Sequence, residues 1–349
     1  MSEFFSLKVS QIEQLTEQSV HVSFEIPESL KAAFAYKAGQ YITLKQNIRQ
    51  QEVRRAYSIA TAPSEPLLGV GIKQVQGGLF STYANEALRP GDVLEVMPPQ
   101  GRFVFEPNGS AQHIAGIAAG SGITPILSIA KTVLESHPES FFMLIYGNKT
   151  KDDQMYTKAI DALKDTYGER LKIEYVYSRA SIPRAHFGRI DRSIINFAFK
   201  NKFADRAFDA FYLCGPEEMI QESSEALQVL GVQQDLIHYE LFTSSKKEEA
   251  PNSLPNGMTQ VQVLLDEVSA TLEMKQTDRL LDALLKNKID APYSCQGGVC
   301  SSCIARVTKG SAVMIKNEIL TNNEIAEGLI LTCQAHPTTS EITIDFDDV

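Results

Sequence analysis

Four of the chain's five cysteines stand near its C-terminal end as Cys295, Cys300, Cys303 and Cys333, three of them in a C-x4-C-x2-C run with the fourth far downstream. This spacing constrains the fold more than any other feature. Three thiolates so close together require a tight, irregular loop, and the remote one must be brought to it by a different element, which is the pattern of a plant-type [2Fe-2S] centre. Gly297 and Gly298 lie inside the run. Lacking Cβ atoms, they let backbone N–H groups approach the sulfurs and offset the charge of a ligated cluster. The other readings are a structural zinc site, a pair of disulfides, or unrelated buried thiols. Zinc ribbons usually present two C-x2-C-type knuckles, whereas this chain has one asymmetric triplet and a distant partner. Disulfides need an oxidising compartment, and the opening Met1-Ser2-Glu3-Phe4-Phe5 has neither a basic n-region nor a long apolar h-region. A cytoplasmic location is therefore expected.

At 349 residues the chain suits two or three domains. With 43% hydrophobic and 22% charged residues it reads as a soluble globular protein. Its longest apolar stretch, 114–130, is cut by Gly116, Gly120, Gly122 and Pro125. That stretch reads as strand, turn and helix, so no membrane association is expected. A net charge of -10 weighs against a nucleic-acid partner and favours a protein partner with a basic face. The ending Asp345-Phe346-Asp347-Asp348 either meets such a face or simply solubilises the surface. Residues 244–258 are polar, charged and punctuated by proline, as an exposed linker would be. The expected division is 1–108, 109–243, the linker 244–258, and 259–349.

The first part contains short runs of strand-forming residues, at 7–9, 20–26, 41–44 and 93–96, with turns at Pro27, Gly39 and Pro90-Gly91-Asp92. Such spacing predicts an antiparallel barrel. Within it, Arg55-Ala56-Tyr57-Ser58 alternates a cation, an aromatic plane and a hydroxyl. Period two puts Arg55 and Tyr57 on one face and Ser58 on the other. A flavin phosphate suits the guanidinium fork, its ring suits a stacking partner, and its N5 edge suits a hydrogen-bond donor. An ordinary solvated arginine and half-buried tyrosine satisfy the same pattern. Gly77-Gly78-Leu79-Phe80-Ser81 opens a helical pattern whose N-terminal N–H groups could meet a pyrophosphate; otherwise it is a glycine-rich turn with Ser81 as cap.

Residues 112–242 alternate apolar strands (113–118, 141–146, 172–177, 211–213, 236–239) with amphipathic helices (125–135, 154–167, 192–199, 217–230). That order predicts a parallel, doubly wound sheet with its ligand at the strand C-termini. Gly120-Ser121-Gly122-Ile123-Thr124-Pro125 follows the first strand, with Thr124 the expected N-cap and Pro125 the first helical residue. Ser178 and Arg179 follow the third strand, where a guanidinium suits the 2′-phosphate of NADP, or is merely a surface cation. Cys214-Gly215-Pro216 ends the fourth strand. Cys214 stands near the expected nicotinamide position, or is simply a small buried residue.

Taken together, these motifs resemble the ferredoxin-NADP reductase superfamily, in its members with a plant-type ferredoxin domain at the C-terminus. The resemblance spans nearly the whole chain. It implies an antiparallel β-barrel flavin domain, an α/β doubly wound nucleotide domain and an α+β, β-grasp [2Fe-2S] domain. It also implies FAD, with Arg55 at its phosphate, Tyr57 on the isoalloxazine, Ser58 near N5, and Gly78 and Ser81 at the pyrophosphate. Gly120, Gly122 and Thr124 would hold the nicotinamide nucleotide together with Cys214, Gly215 and Pro216. Ser178 and Arg179 would favour NADPH, although Ala180 stands where relatives commonly carry Glu. Phe242, in Glu240-Leu241-Phe242, would cover the flavin. Ser58, Cys214 and Phe242 are thus the residues expected at hydride transfer, and Cys295, Cys300, Cys303 and Cys333 those expected on iron. The implied activity is NAD(P)H-dependent electron transfer through FAD and [2Fe-2S] to an oxygenase component. Tyr146-Gly147-Asn148-Lys149, Met155-Tyr156 and the stretch 330–335 are similar to reductases serving diiron epoxidases; a Rieske-type or other ring or steroid hydroxylase, or a redox-sensing role without turnover, are the alternatives.

Overall fold

The computed structural model describes residues 4–242 and 254–349, so residues 244–253 of the expected linker lie outside the described residues. Six strands form the first body: β1 (Phe5–Thr16), β2 (Ser19–Phe24), β3 (Tyr41–Ile48), β4 (Gln51–Ser58), β5 (Leu68–Lys73) and β6 (Val93–Gln100), with helix α1 (Leu79–Glu86) before β6. They pair antiparallel in the order β4-β3-β6-β1-β2-β5. The two end strands then meet, since Ile59 bridges Val70 and the Ala60 N–H donates to the Gly69 carbonyl at 2.8 Å. Closure removes what would otherwise be open edges. Alternate residues such as Leu7, Val9, Ile42, Leu44, Leu94 and Val96 point inward and fill the barrel. A two-residue turn, Arg49-Gln50, joins β3 to β4 with both residues left-handed, at φ 53° and 65°. This is the twist that a tight hairpin needs, achieved without glycine.

The second body is a parallel sheet. Its elements are β7 (His113–Ala119), α2 (Ile123–Ser136), β8 (Phe141–Asn148), α3 (Thr157–Tyr167), β9 (Leu171–Tyr177), β10 (His186–Phe187), α4 (Arg192–Asn196), β11 (Ala210–Gly215), α5 (Glu217–Val229) and β12 (Ile237–Leu241). The strands run in the order β10-β9-β8-β7-β11-β12. β8 is buried along its whole length, as a central strand covered on both faces must be. On α2, Ile123, Ile126, Leu127, Ala130, Val133 and Leu134 form the apolar stripe that faces the sheet. The chain winds outward from β7 in one direction, then returns to β11 on the other side. The winding reverses between β7 and β11, the point of such sheets at which ligands bind beside the strand C-termini. Barrel and sheet pack into one compact unit, Phe5–Phe242.

Two local expectations are corrected. A 3-10 turn, Gly120–Gly122, leads into α2, which begins at Ile123 with Gly122 at its cap position. Thr124 therefore lies inside the first turn, and its hydroxyl donates to the Ser121 carbonyl at 3.0 Å. The helix expected over 192–199 is α-helical only to Asn196 and continues as a π turn, Phe197–Lys202.

The C-terminal unit contains β13 (Met258–Leu265), β14 (Val268–Lys275), α6 (Leu280–Lys286), β15 (Ile304–Lys309), β16 (Ala312–Met314), α7 (Asn322–Ala326), β17 (Leu329–Leu331), β18 (Ala335–Pro337) and β19 (Glu341–Asp345). A mixed five-stranded sheet, β14-β13-β19-β15-β17, grips α6, whose Leu280, Leu281 and Leu284 pack with Val261, Val263, Ile342 and Ile344. β16 and β18 form a separate two-stranded ribbon. This is the β-grasp architecture. The β13–β14 hairpin turns on Asp266-Glu267, both left-handed at φ 52° and 62°. The Asp347 carboxylate accepts both of their N–H groups at 2.8 Å, and Asp348 pairs with Arg306 at 3.0 Å. The acidic ending thus ties down the domain's own hairpin and sheet.

Candidate functional site

β4 carries the Arg55-to-Ser58 segment with the expected alternation: Arg55 is exposed, Tyr57 half-buried and Ser58 buried. The Tyr57 ring lies 5.6 Å from Phe80 of α1, so barrel and helix meet at an aromatic pair. Burial raises the Tyr57 phenol well above its ordinary pKa, with nearby Arg55 opposing weakly. The buried guanidinium, however, belongs to Arg54, which pairs with Glu52 at 2.8 Å. Ser58 Oγ donates to Glu240 Oε2 on β12 at 3.0 Å, joining the barrel to the sheet. Glu240 is the polar partner that local pattern did not single out, because nothing in a strand sequence announces a contact with a distant strand end. Phe242, just past β12, is half-buried against the core of the sheet.

Gly78 caps α1 with extended backbone and no side chain. A Cβ there would stand 2.5 Å from Ser81 Oγ. Ser81 does not cap the helix; its hydroxyl accepts the Val75 N–H at 3.1 Å and holds the preceding turn.

At the switch point, Gly120 has φ +56° and open space around its missing Cβ. Gly122 has none: a Cβ would lie 2.0 Å from the Cys214 carbonyl oxygen. Gly215 is confined by Met219 and Ala119, and Pro216 caps α5, its carbonyl accepting the Ile220 N–H at 3.1 Å. Cys214 is fully buried. Its thiol is pushed well above the ordinary range, first by burial and then by the charge of Glu240. Cys214 packs beneath the glycine turn, its carbonyl against Gly122. Beyond β9, the Ser178 and Arg179 N–H groups donate to the carbonyls of Asn148 and Lys149 at 3.0 and 2.9 Å, leaving the Arg179 side chain exposed.

In the C-terminal unit the four cysteines come together. The Cys300, Cys295, Cys333 and Cys303 thiols are near enough to perturb one another in that order. All are free thiols. The Cys300 thiol is raised well above its usual pKa by its bond with Cys295 and by burial. Backbone N–H groups turn toward sulfur: Gly297 donates to Cys295 at 3.3 Å, while Gly298 and Ser302 serve Cys333 and Cys300. Gly298 sits at φ +73°, where a Cβ would stand 3.0 Å from the Lys316 carbonyl. Thr332 donates to the Cys303 carbonyl through both its N–H and its hydroxyl, tying the remote cysteine to the loop. Among the described residues, no three His, Cys, Asp or Glu side chains are gathered as a single metal ion requires.

Three family models match in chain order: an oxidoreductase FAD-binding domain at residues 6–105, an oxidoreductase NAD-binding domain at 117–225, and a 2Fe-2S iron-sulfur cluster binding domain at 263–338. The chain is 37% identical to a component of the 1,2-phenylacetyl-CoA epoxidase of Escherichia coli (strain K12), over 352 residues covering 99% of each chain. Phthalate dioxygenase reductase, described as a modular structure for electron transfer from pyridine nucleotides to [2Fe-2S], shares the fold with a TM-score of 0.62, 21% identity and 98% coverage of each chain. An intact type IV self-sufficient cytochrome P450 monooxygenase gives a TM-score of 0.71 at 22% identity; 98% of this chain is covered but only 41% of the other, so the likeness concerns part of that protein. No helix among the described residues is long and apolar enough to cross a membrane. The chain belongs to the ferredoxin-NADP reductase superfamily, as an electron-transfer oxidoreductase with FAD-binding, NAD-binding and C-terminal [2Fe-2S] domains.

Proposed function

We propose that this reductase draws electrons from NADPH and delivers them to an oxygenase of the phenylacetyl-CoA epoxidase type. The observation that carries the reading is the 37% identity to a component of that epoxidase across 99% of both chains. FAD supplies the conversion of a two-electron hydride into single electrons, and the [2Fe-2S] cluster carries those electrons out. The chain's own residues do the placing. On β4, the exposed Arg55 meets flavin phosphate, and Tyr57, braced by Phe80, lies against the ring. Ser58, whose hydroxyl donates to Glu240 in this structure, would stand near the N5 edge and could turn that hydroxyl to the flavin when it is bound. Gly78 and Ser81 shape the turn that receives the pyrophosphate. Gly120, Gly122 and Thr124, packed on Cys214, Gly215 and Pro216, form the nicotinamide cradle, and Phe242 covers the flavin. Ser178 and Arg179 select the 2′-phosphate.

In the ferredoxin domain, Cys295, Cys300, Cys303 and Cys333 would hold the cluster as thiolates. We read the domains as 1–108, 109–243 and 259–349, joined by the linker 244–258. Four cysteines kept as iron-binding thiolates and a buried fifth outside any disulfide suit a reducing, cytoplasmic compartment.

The test is anaerobic mixing of the purified holoprotein with NADPH, followed by addition of a phenylacetyl-CoA epoxidase oxygenase component. Flavin bleaching, then cluster reduction, then phenylacetyl-CoA-dependent NADPH oxidation are expected. Cys300→Ser should keep the first signal and lose the others. Full cluster reduction without any turnover by that oxygenase, while a Rieske-type or other hydroxylase is served, would reject the proposed partner.

A further inference from the structure

The segment Gln154-Met155-Tyr156 lies at the C-terminal edge of the parallel sheet and touches three places at once. Gln154 Oε1 accepts the Tyr177 hydroxyl at 2.7 Å, at the end of β9. The Tyr146 hydroxyl reaches the Gly120 carbonyl at 3.2 Å and the Met155 carbonyl at 3.4 Å, linking the segment to the turn after β7. Tyr156 leaves the sheet altogether: its hydroxyl meets Nδ1 of His21, on barrel strand β2, at 2.8 Å, with the two rings edge to face at 5.6 Å.

The contact is built for. Tyr156 adopts a left-handed backbone, φ 60° and ψ 25°, at the cap of α3, an unusual conformation for a bulky residue. Two glycines on β5 make room for the pair. A Cβ at Gly69 would stand 2.3 Å from the His21 ring. One at Gly71 would stand 2.6 Å from the Tyr156 hydroxyl and 2.7 Å from Thr124 Cγ2. The barrel thus lies directly against Tyr156 and Thr124 because β5 lacks side chains at these two positions.

We propose that Tyr156, through His21, is a positioning residue for hydride transfer, holding the Gly120–Thr124 turn at a fixed setting against the flavin barrel. The proposal rests on reading that turn as the nicotinamide cradle. Neither residue need touch a cofactor. Hydride transfer depends steeply on the placement of donor and acceptor, so a link that sets the spacing of the two bodies acts on the transfer step more than on binding.

The experiment is stopped-flow reduction of the holoprotein by NADPH, comparing wild type, Tyr156→Phe, His21→Leu, the double variant and Gly71→Ala. Each single variant should slow flavin reduction at saturating NADPH by roughly three- to tenfold. Each should also weaken the nicotinamide–flavin charge-transfer absorbance, with the NADPH half-saturation within about twofold of wild type and flavin and cluster content unchanged. The double variant should be no slower than the slower single one, since both cut the same link. Gly71→Ala should give the same signature with both ring partners intact. Wild-type rate and charge-transfer band in Tyr156→Phe would overturn the positioning role, as would a loss confined to flavin content. Absence of flavin reduction in the wild-type holoprotein would instead overturn the reading of the turn itself.

Discussion

Gly122 and Cys214 meet backbone to backbone: a Cβ on Gly122 would stand 2.0 Å from the Cys214 carbonyl oxygen and 2.5 Å from its carbonyl carbon. This contact joins the turn after β7 to the end of β11 across the point where the winding of the sheet reverses. It also distinguishes the two glycines of one motif. Gly120 is required for its backbone angle, Gly122 for its closeness to a neighbour.

Gly122→Ala should therefore cost about 3 kcal/mol or more of stability, because a carbonyl in a central strand cannot retreat as a flexible side chain would. Gly120→Ala meets open space and carries only the left-handed backbone penalty, about 1–2 kcal/mol. Denaturant unfolding of the two variants checks the contrast, with NADPH titration reporting whether the cradle survives. Equal losses in both would mean that the strand ends separate easily.

Cys214 should be chemically silent. Its thiol is buried and held well above the ordinary range, so iodoacetamide at pH 8 should leave it unmodified in the native holoprotein while labelling it after unfolding. Cys214→Ala should destabilise by about 1–2 kcal/mol and leave the rate of flavin reduction within about threefold. A larger kinetic loss at unchanged stability would give the sulfur a chemical role instead.

Arg179→Ala separates cofactor selection from scaffolding. The Arg179 N–H is held by the Lys149 carbonyl whatever side chain it carries, and that side chain is exposed. Losing a charge-assisted contact to a 2′-phosphate, worth about 1.5–3 kcal/mol, should raise the KM for NADPH by roughly ten- to a hundredfold and leave NADH nearly unaffected. Equal effects on both nucleotides would mark Arg179 as an ordinary surface cation.

The sheet was legible in the sequence because its strands are continuous apolar runs, β8 above all, and its helices carry a clear stripe, as α2 does. The cysteine loop was legible because ligand spacing is itself a geometric statement. Turns that break the usual rules were not. Arg49-Gln50 and Asp266-Glu267 adopt left-handed pairs that local chemistry reserves for Asn and Gly; the second is held by Asp347, far along the chain. Thr124 had the right residue type for a cap, but the 3-10 turn before it moved the helix start. The pairings of Ser58 with Glu240 and of His21 with Tyr156 join distant strands and segments, and no periodicity records them.

His21 also gives the flavin and nucleotide unit a pH dependence. Burial lowers its pKa to about 4, assisted by Lys131 and opposed by Glu65, while the Tyr156 phenol, raised far above its usual range, stays protonated. Between pH 6.5 and about 4 the unfolded chain binds a proton that the folded ring refuses. Stability therefore rises with pH across that window: the neutral ring is accommodated above it, and stability is lost progressively as pH falls through it. The loss attributable to this residue should be about 1–3 kcal/mol, after allowance for partial exposure of the ring. His238 is lowered as well, chiefly by burial, and acts in the same direction. The informative quantity is accordingly the difference between wild type and His21→Gln, which keeps a hydrogen-bonding side chain without the titration. Thermal unfolding of the two proteins at matched pH values should converge toward acid and separate above pH 6.5. Parallel curves over the whole range would show that His21 titrates as freely in the folded chain as in the unfolded one.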